Sequence, residues 1–90
     1  MMNDVEAIKI IIMEAFYRYK SPIDYDENDF KLIDEVDNES SVDSLFKFIN
    51  SNELKKIKNI MIEDVFLDYL KSKNYLQIQI DFVEKIRNNS

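Results

Sequence analysis

The chain has 90 residues, with eighteen acidic and twelve basic side chains, a net charge of −6 and neither cysteine nor histidine. That length builds one hydrophobic core and no second lobe, so a single domain over residues 1–90 is expected. The missing residue types exclude a disulfide framework, a thiolate metal site and any serine–histidine or cysteine–histidine nucleophile pair, and they deprive zinc sites of their commonest ligand.

The negative charge repels nucleic-acid phosphates and suits partners with basic patches. Lys55-Lys56-Ile57-Lys58 is the one basic cluster and reads as a solvated helix face. The opening Met1-Met2-Asn3-Asp4-Val5-Glu6 places acid where a secretory signal needs base, and no apolar run reaches the length of a membrane span. A soluble, monomeric, cytoplasmic protein without membrane insertion is expected. With no glycine and Pro22 as the sole proline, the chain lacks the turn chemistry of an all-β fold, which makes an all-α fold the default.

Asn3, followed by Glu6, marks the start of a first helix running from about Asp4 to Lys20, along which Val5, Ile8, Ile12, Ala15, Phe16 and Tyr19 recur at helical spacing. Ser21-Pro22 ends it. The connection from Asp24 to Ser41 is rich in Asp, Glu, Asn and Ser and is expected to be mostly irregular, with Phe30, Ile33 and Val36 resting on the core in a turn or two of helix. Its opening, Asp24-Tyr25-Asp26-Glu27-Asn28 with Glu35 beyond, is similar to a calcium loop, but Asp29 stands where the sharp turn needs glycine and Lys31 where an apolar residue belongs. It reads as a solvated acidic loop.

Ser40-Ser41-Val42-Asp43 is a helix-start signal, since these side chains bond free backbone amides. A second helix is expected from near Ser44, with Leu45, Phe48 and Ile49 on one side, a weak point at Asn50-Ser51-Asn52, and Leu54 and Ile57 beyond. One helix or two fits that stretch. A further segment spans about Glu63 to Ser72 with Val65, Phe66, Tyr69 and Leu70 inward, closed by Lys73-Asn74. From Leu76 to Phe82 the alternation fits a strand, while Leu76, Ile80, Val83 and Ile86 fit a helix. A lone strand lacks a partner, so the helix is preferred. Glu63-Asp64 is a carboxylate pair of the kind used in acid–base chemistry, here read as a solvated helix start.

Ser44 is the candidate functional residue. A serine at the first position of a helix has its hydroxyl in solvent, beside free amides and a helix dipole that stabilise an attached phosphate. Asp43-Ser44-Leu45, the apolar-to-acidic run Asn59-Ile60-Met61-Ile62-Glu63-Asp64 and the stretch Leu76-Gln77-Ile78-Gln79-Ile80-Asp81-Phe82-Val83 occur in the order found in acyl carrier proteins, and the chain from Val42 to Val83 resembles that family. The resemblance implies a bundle of three main helices and one short one, no enzymatic activity, and 4′-phosphopantetheine attached to Ser44, bearing a thioester-linked acyl or aminoacyl group for fatty-acid, polyketide or related biosynthesis. It also implies a phosphopantetheinyl transferase and acyl-loading or acyl-processing enzymes as partners, with Asp43 orienting the transferase and Leu45, Phe46, Lys47 and Met61 on the docking surface. Ser41 stands where the family has glycine, and the second helix is poorer in acid than the family's, which implies specialised partners.

A reading from another class is an acidic helical interaction protein, such as an immunity protein or anti-sigma-like inhibitor, that blocks a basic surface on its target. Charge, size and the aromatics Tyr17, Tyr25 and Phe46 support it.

Overall fold

The computed structural model describes residues 2–90; Met1, the head of the acidic opening, lies outside them. Among the described residues there is no strand, and helices form at α1 (Asp4–Tyr19), α2 (Glu27–Asn38), α3 (Val42–Ile49), α4 (Lys55–Met61), α5 (Asp64–Ser72) and α6 (Gln77–Asn88), with single 3₁₀ turns at Pro22–Asp24 and Asn52–Leu54. The all-helical bundle is what composition implies. It has more pieces than three main helices and a short one, because two stretches of the chain behave differently from expectation.

The first is the acidic connection, which is a three-turn helix and not irregular chain. Asp26 caps α2 by accepting from the Asp29 amide at 2.9 Å, while Asp29 accepts from the Asp26 amide at 3.0 Å, so each carboxylate satisfies an amide left free at a helix start. Leu32 and Val36 then bury one side of α2 against the core. The second is Asn50-Ser51-Asn52, a true break that separates α3 from α4. Asn50 Nδ2 and Ser51 Oγ donate to the carbonyls of Phe46 and Phe48, satisfying the end of α3 from within the chain.

α1 is the central element and packs against α2, α3, α4 and α6. Asn3 caps it as expected, accepting from the Glu6 amide at 2.8 Å. Its buried residues are Ala7, Ile8, Ile11, Ile12, Ala15 and Phe16. All but Ala7 meet Leu45 and Ile49 of α3, Ile57 and Met61 of α4, Phe66 and Leu70 of α5 and Ile80, Val83 and Ile86 of α6 in one continuous core. Gln79 ties α6 to α1: its Nε2 donates to the buried carbonyl of Ala7 and its Oε1 accepts from the Leu76 amide, both at 2.8 Å. A buried amide is tolerated here because donor and acceptor are both used.

α5 ends where Lys73-Asn74 was expected to close it. Asn74 adopts φ 56°, Tyr75 N–H donates to Leu70 and Asn74 N–H to Lys71, the paired bonds of a left-handed helix cap. Val65 is exposed and not inward; Leu67 takes the buried place. The 76–82 stretch is helical, although Leu76 lies just before α6 and is half exposed.

Candidate functional site

The N-cap of α3 is Ser41, which places Ser44 third in the helix and not first. Ser41 Oγ accepts from the Ser44 amide, and Ser44 Oγ donates back to the Ser41 carbonyl, both at 3.0 Å. The Ser44 hydroxyl is therefore engaged locally in a half-exposed first turn. Asp43 is exposed and pairs with Lys47 Nζ one turn on, at 3.3 Å. Leu45 and Met61 are wholly buried, and so belong to the core and not to a docking surface. The helical period that sets Ser44 outward sets the next residue, Leu45, inward, and Met61 faces α1 from the last turn of α4.

Phe46 is half-buried, edge-on to Phe82 of α6 with ring centres 6.2 Å apart, and the Lys85 ammonium stands 4.4 Å from the Phe46 ring centre. Val42, Phe46, Ile78 and Phe82 floor a furrow of about 310 Å³ between α3 and α6, with Asp43, Asp81 and Lys85 at its edge. Val42 and Phe46 share one face of α3. Ser44, two residues from each, lies on the opposite face. The structure brings Asp43 and Phe46 together in this furrow, while Ser44 and the exposed Lys47 stand outside its lining.

The acidic pairs have structural roles. Asp64 pairs with Arg87, joining α5 to α6. Asp29, 5% exposed, accepts from Lys20 Nζ at 2.7 Å, and this hydrogen bond, followed by the Asp26 amide, holds its carboxyl below the usual carboxylate range. Among the described residues no group of three or more acidic side chains is assembled to hold a metal ion.

No family model, curated protein or solved structure matches this chain.

A further feature, made of unreactive side chains, lies on α1. Besides the buried face, the helix carries an outward stripe of Ile10, Met13 and Tyr17, with Ile10 42% and Tyr17 52% exposed. A surface helix ordinarily turns polar residues to that side. The stripe continues onto α2, where Phe30 is 57% exposed and Ile33 half-buried. Tyr25 lies beneath one end, edge-on to both Phe16 and Phe30. The signal was present in the run Ile10-Ile11-Ile12-Met13, too continuous for a helix with a single apolar face. Charge is just as uneven: through Ser44 the chain holds twelve acidic and four basic side chains, and after it six acidic and eight basic. Among the described residues no helix is long and apolar enough to cross a membrane.

Proposed function

We propose that this chain is a non-catalytic acidic helical protein that acts by covering a basic surface on a protein partner, as an immunity protein or anti-sigma-like inhibitor does. The observation that carries the reading is the uncompensated charge of its N-terminal half. Among the described residues, five of the eighteen acidic side chains (Glu14, Asp26, Asp29, Asp43 and Asp64) have a cation within 4 Å. Between Asp24 and Glu39 Lys31 is the sole base among eight acids. An excess of unpaired acid steers a basic surface into contact and rejects nucleic acid and anionic membranes.

The test is photo-cross-linking in the source cell, with a photoreactive residue replacing Lys31 on α2 or Lys55 on α4. A protein adduct specific to position 31, of basic surface and released by high salt before irradiation, supports the reading. No specific adduct at either position removes it.

Ser44 favours a second reading, as the attachment point of 4′-phosphopantetheine in an acyl carrier protein. Its support is a half-exposed serine in the first turn of α3, where the helix dipole favours an anion, together with the sequence resemblance from Val42 to Val83. It ranks second because the hydroxyl is bonded to the Ser41 carbonyl and because an arm would leave from the face opposite the apolar furrow. Intact mass after incubation with coenzyme A and broad-specificity transferases decides it. A gain of one phosphopantetheinyl group, absent in Ser44→Ala, establishes the carrier; no gain with several transferases ends it.

A further inference from the structure

Helix α1 is apolar on two sides, and a helix of that kind is normally enclosed on both. Its inner side is covered by the rest of the fold. Its outer side carries two adjoining shallow depressions that share Lys9 and Met13, one of about 270 Å³ against α2 and one of about 290 Å³ on α1 itself, lined also by Ile10, Glu14 and Tyr17. Ile33, Asp34 and Asp37 of α2 form the far wall of the first depression. The two helices run antiparallel, since Lys9 donates to the carbonyl of Asp37 while Phe16 and Phe30 both meet Tyr25 at the other end. The result is a shallow apolar trough that runs along α1 from Lys9 to Tyr17, with α2 beside its first part.

Acid outnumbers base along it. Asp34 and Asp37 line the α2 side and Glu14 the α1 side. The two nearby cations are already engaged, Lys9 at the Asp37 carbonyl and Arg18 with Glu14 and the rings of Phe66 and Tyr69. A second copy of the chain is a poor occupant. Its own trough carries the same excess of acid.

We infer that the α1–α2 trough binds a cationic amphipathic helix of a partner protein, whose apolar side chains sit on Ile10, Met13, Tyr17 and Ile33 while its lysines or arginines reach Glu14, Asp34 and Asp37. This rests on the reading of the chain as a binder of basic surfaces and adds where the partner lies and what it presents. Apolar anchors at helical spacing seated in a groove supply affinity, and the acidic walls select the partner and speed encounter.

The test titrates the full chain, labelled at isoleucine and methionine methyls, with a synthetic leucine–lysine amphipathic peptide as long as α1. A leucine–glutamate peptide of the same pattern is the control. The expected result is saturable shifts at Ile10, Met13 and Ile33 with the lysine peptide alone, and an affinity about tenfold weaker for Ile10→Lys and for Asp34→Lys/Asp37→Lys. Both variants change exposed or half-exposed side chains, and circular dichroism checks that they stay folded. Shifts centred on Ile78 in the α3–α6 furrow overturn the location and leave the functional reading standing. An equal response to the glutamate peptide overturns the charge of the partner. Concentration-dependent shifts at Ile10 and Met13 without peptide, with a dimer in sedimentation, overturn it in favour of a second copy. No methyl response, with a partner still cross-linked from position 31, overturns the inference alone; failure of both experiments overturns both.

Discussion

Lys20 Nζ donates to Asp29 Oδ2 at 2.7 Å across the turn between α1 and α2, and the same carboxylate oxygen accepts from the Asp26 amide that opens α2. One buried carboxylate thus fastens α2 to the end of α1 and fixes the angle at which the trough between them opens.

That arrangement makes stability depend on pH in a direction that can be worked out. The Lys20 hydrogen bond and the Asp26 amide depress the Asp29 carboxyl. A depressed carboxyl stabilises the fold above its unfolded value of about 3.9, and the contribution is lost as pH falls through the lower folded value. Lys20 is raised by the same hydrogen bond, so its contribution is complete below about 10.4 and is lost as pH rises through the folded value. Urea midpoints measured against pH should therefore fall at both extremes. Asp29→Asn should have a lower midpoint at neutral pH and a shallower loss in acid. Parallel acid limbs for the two proteins sink this account.

Tyr25 presents the opposite case. Its hydroxyl oxygen is buried with no hydrogen-bond partner among the described residues, and burial pushes its phenol up. A buried polar group left unpaired carries its desolvation cost without return, so Tyr25→Phe should stabilise the chain by about 0.5–1 kcal/mol. The ring contacts to Phe16 and Phe30 are kept. A thermal midpoint that falls in Tyr25→Phe shows that the hydroxyl has a partner in solution.

Asn74 holds a left-handed conformation at the end of α5, with φ 56°. Glycine reaches that region without a Cβ clash, asparagine reaches it with help from its short amide, and alanine pays a penalty of about 1 kcal/mol. Denaturant titration should place Asn74→Gly at or above the parent and Asn74→Ala below it by about that amount. Equal midpoints for the two variants contradict the cap.

Much of this was legible in the sequence where one residue decides one feature. Asn3 before Asp4 and Lys73-Asn74 after Ser72 fixed helix ends because capping is local chemistry. The absence of glycine pointed away from β structure. α2 was illegible for a physical reason: eight acids against one base across Asp24–Glu39 look like a solvated loop until Lys20, nine residues before Asp29, is known to reach its carboxylate. Ser44 was read as the first residue of the helix and is the third, because Ser41 and Ser44 are both able to cap and only backbone geometry shows that Ser41 does. Leu45 and Met61 were assigned to a surface by resemblance alone, and their burial depends on how α3 and α4 meet α1, which local pattern does not specify.

The paired serines of α3 give a prediction that separates structural from chemical importance. Ser41 supplies the cap that holds the Ser44 amide, so Ser41→Ala should cost about 1 kcal/mol in a urea titration. The Ser44 hydroxyl only returns a hydrogen bond to a carbonyl that already accepts from Leu45, and alanine is the better helix former. Ser44→Ala should therefore leave the midpoint within about 0.5 kcal/mol of the parent. That neutrality matters, because it makes Ser44→Ala a clean control for the coenzyme A mass experiment: a lost adduct then reports the missing hydroxyl and not an unfolded chain. If Ser44→Ala is as destabilised as Ser41→Ala, the hydroxyl has a structural duty at the start of α3, and attaching a phosphate ester to it would unsettle the helix that presents it.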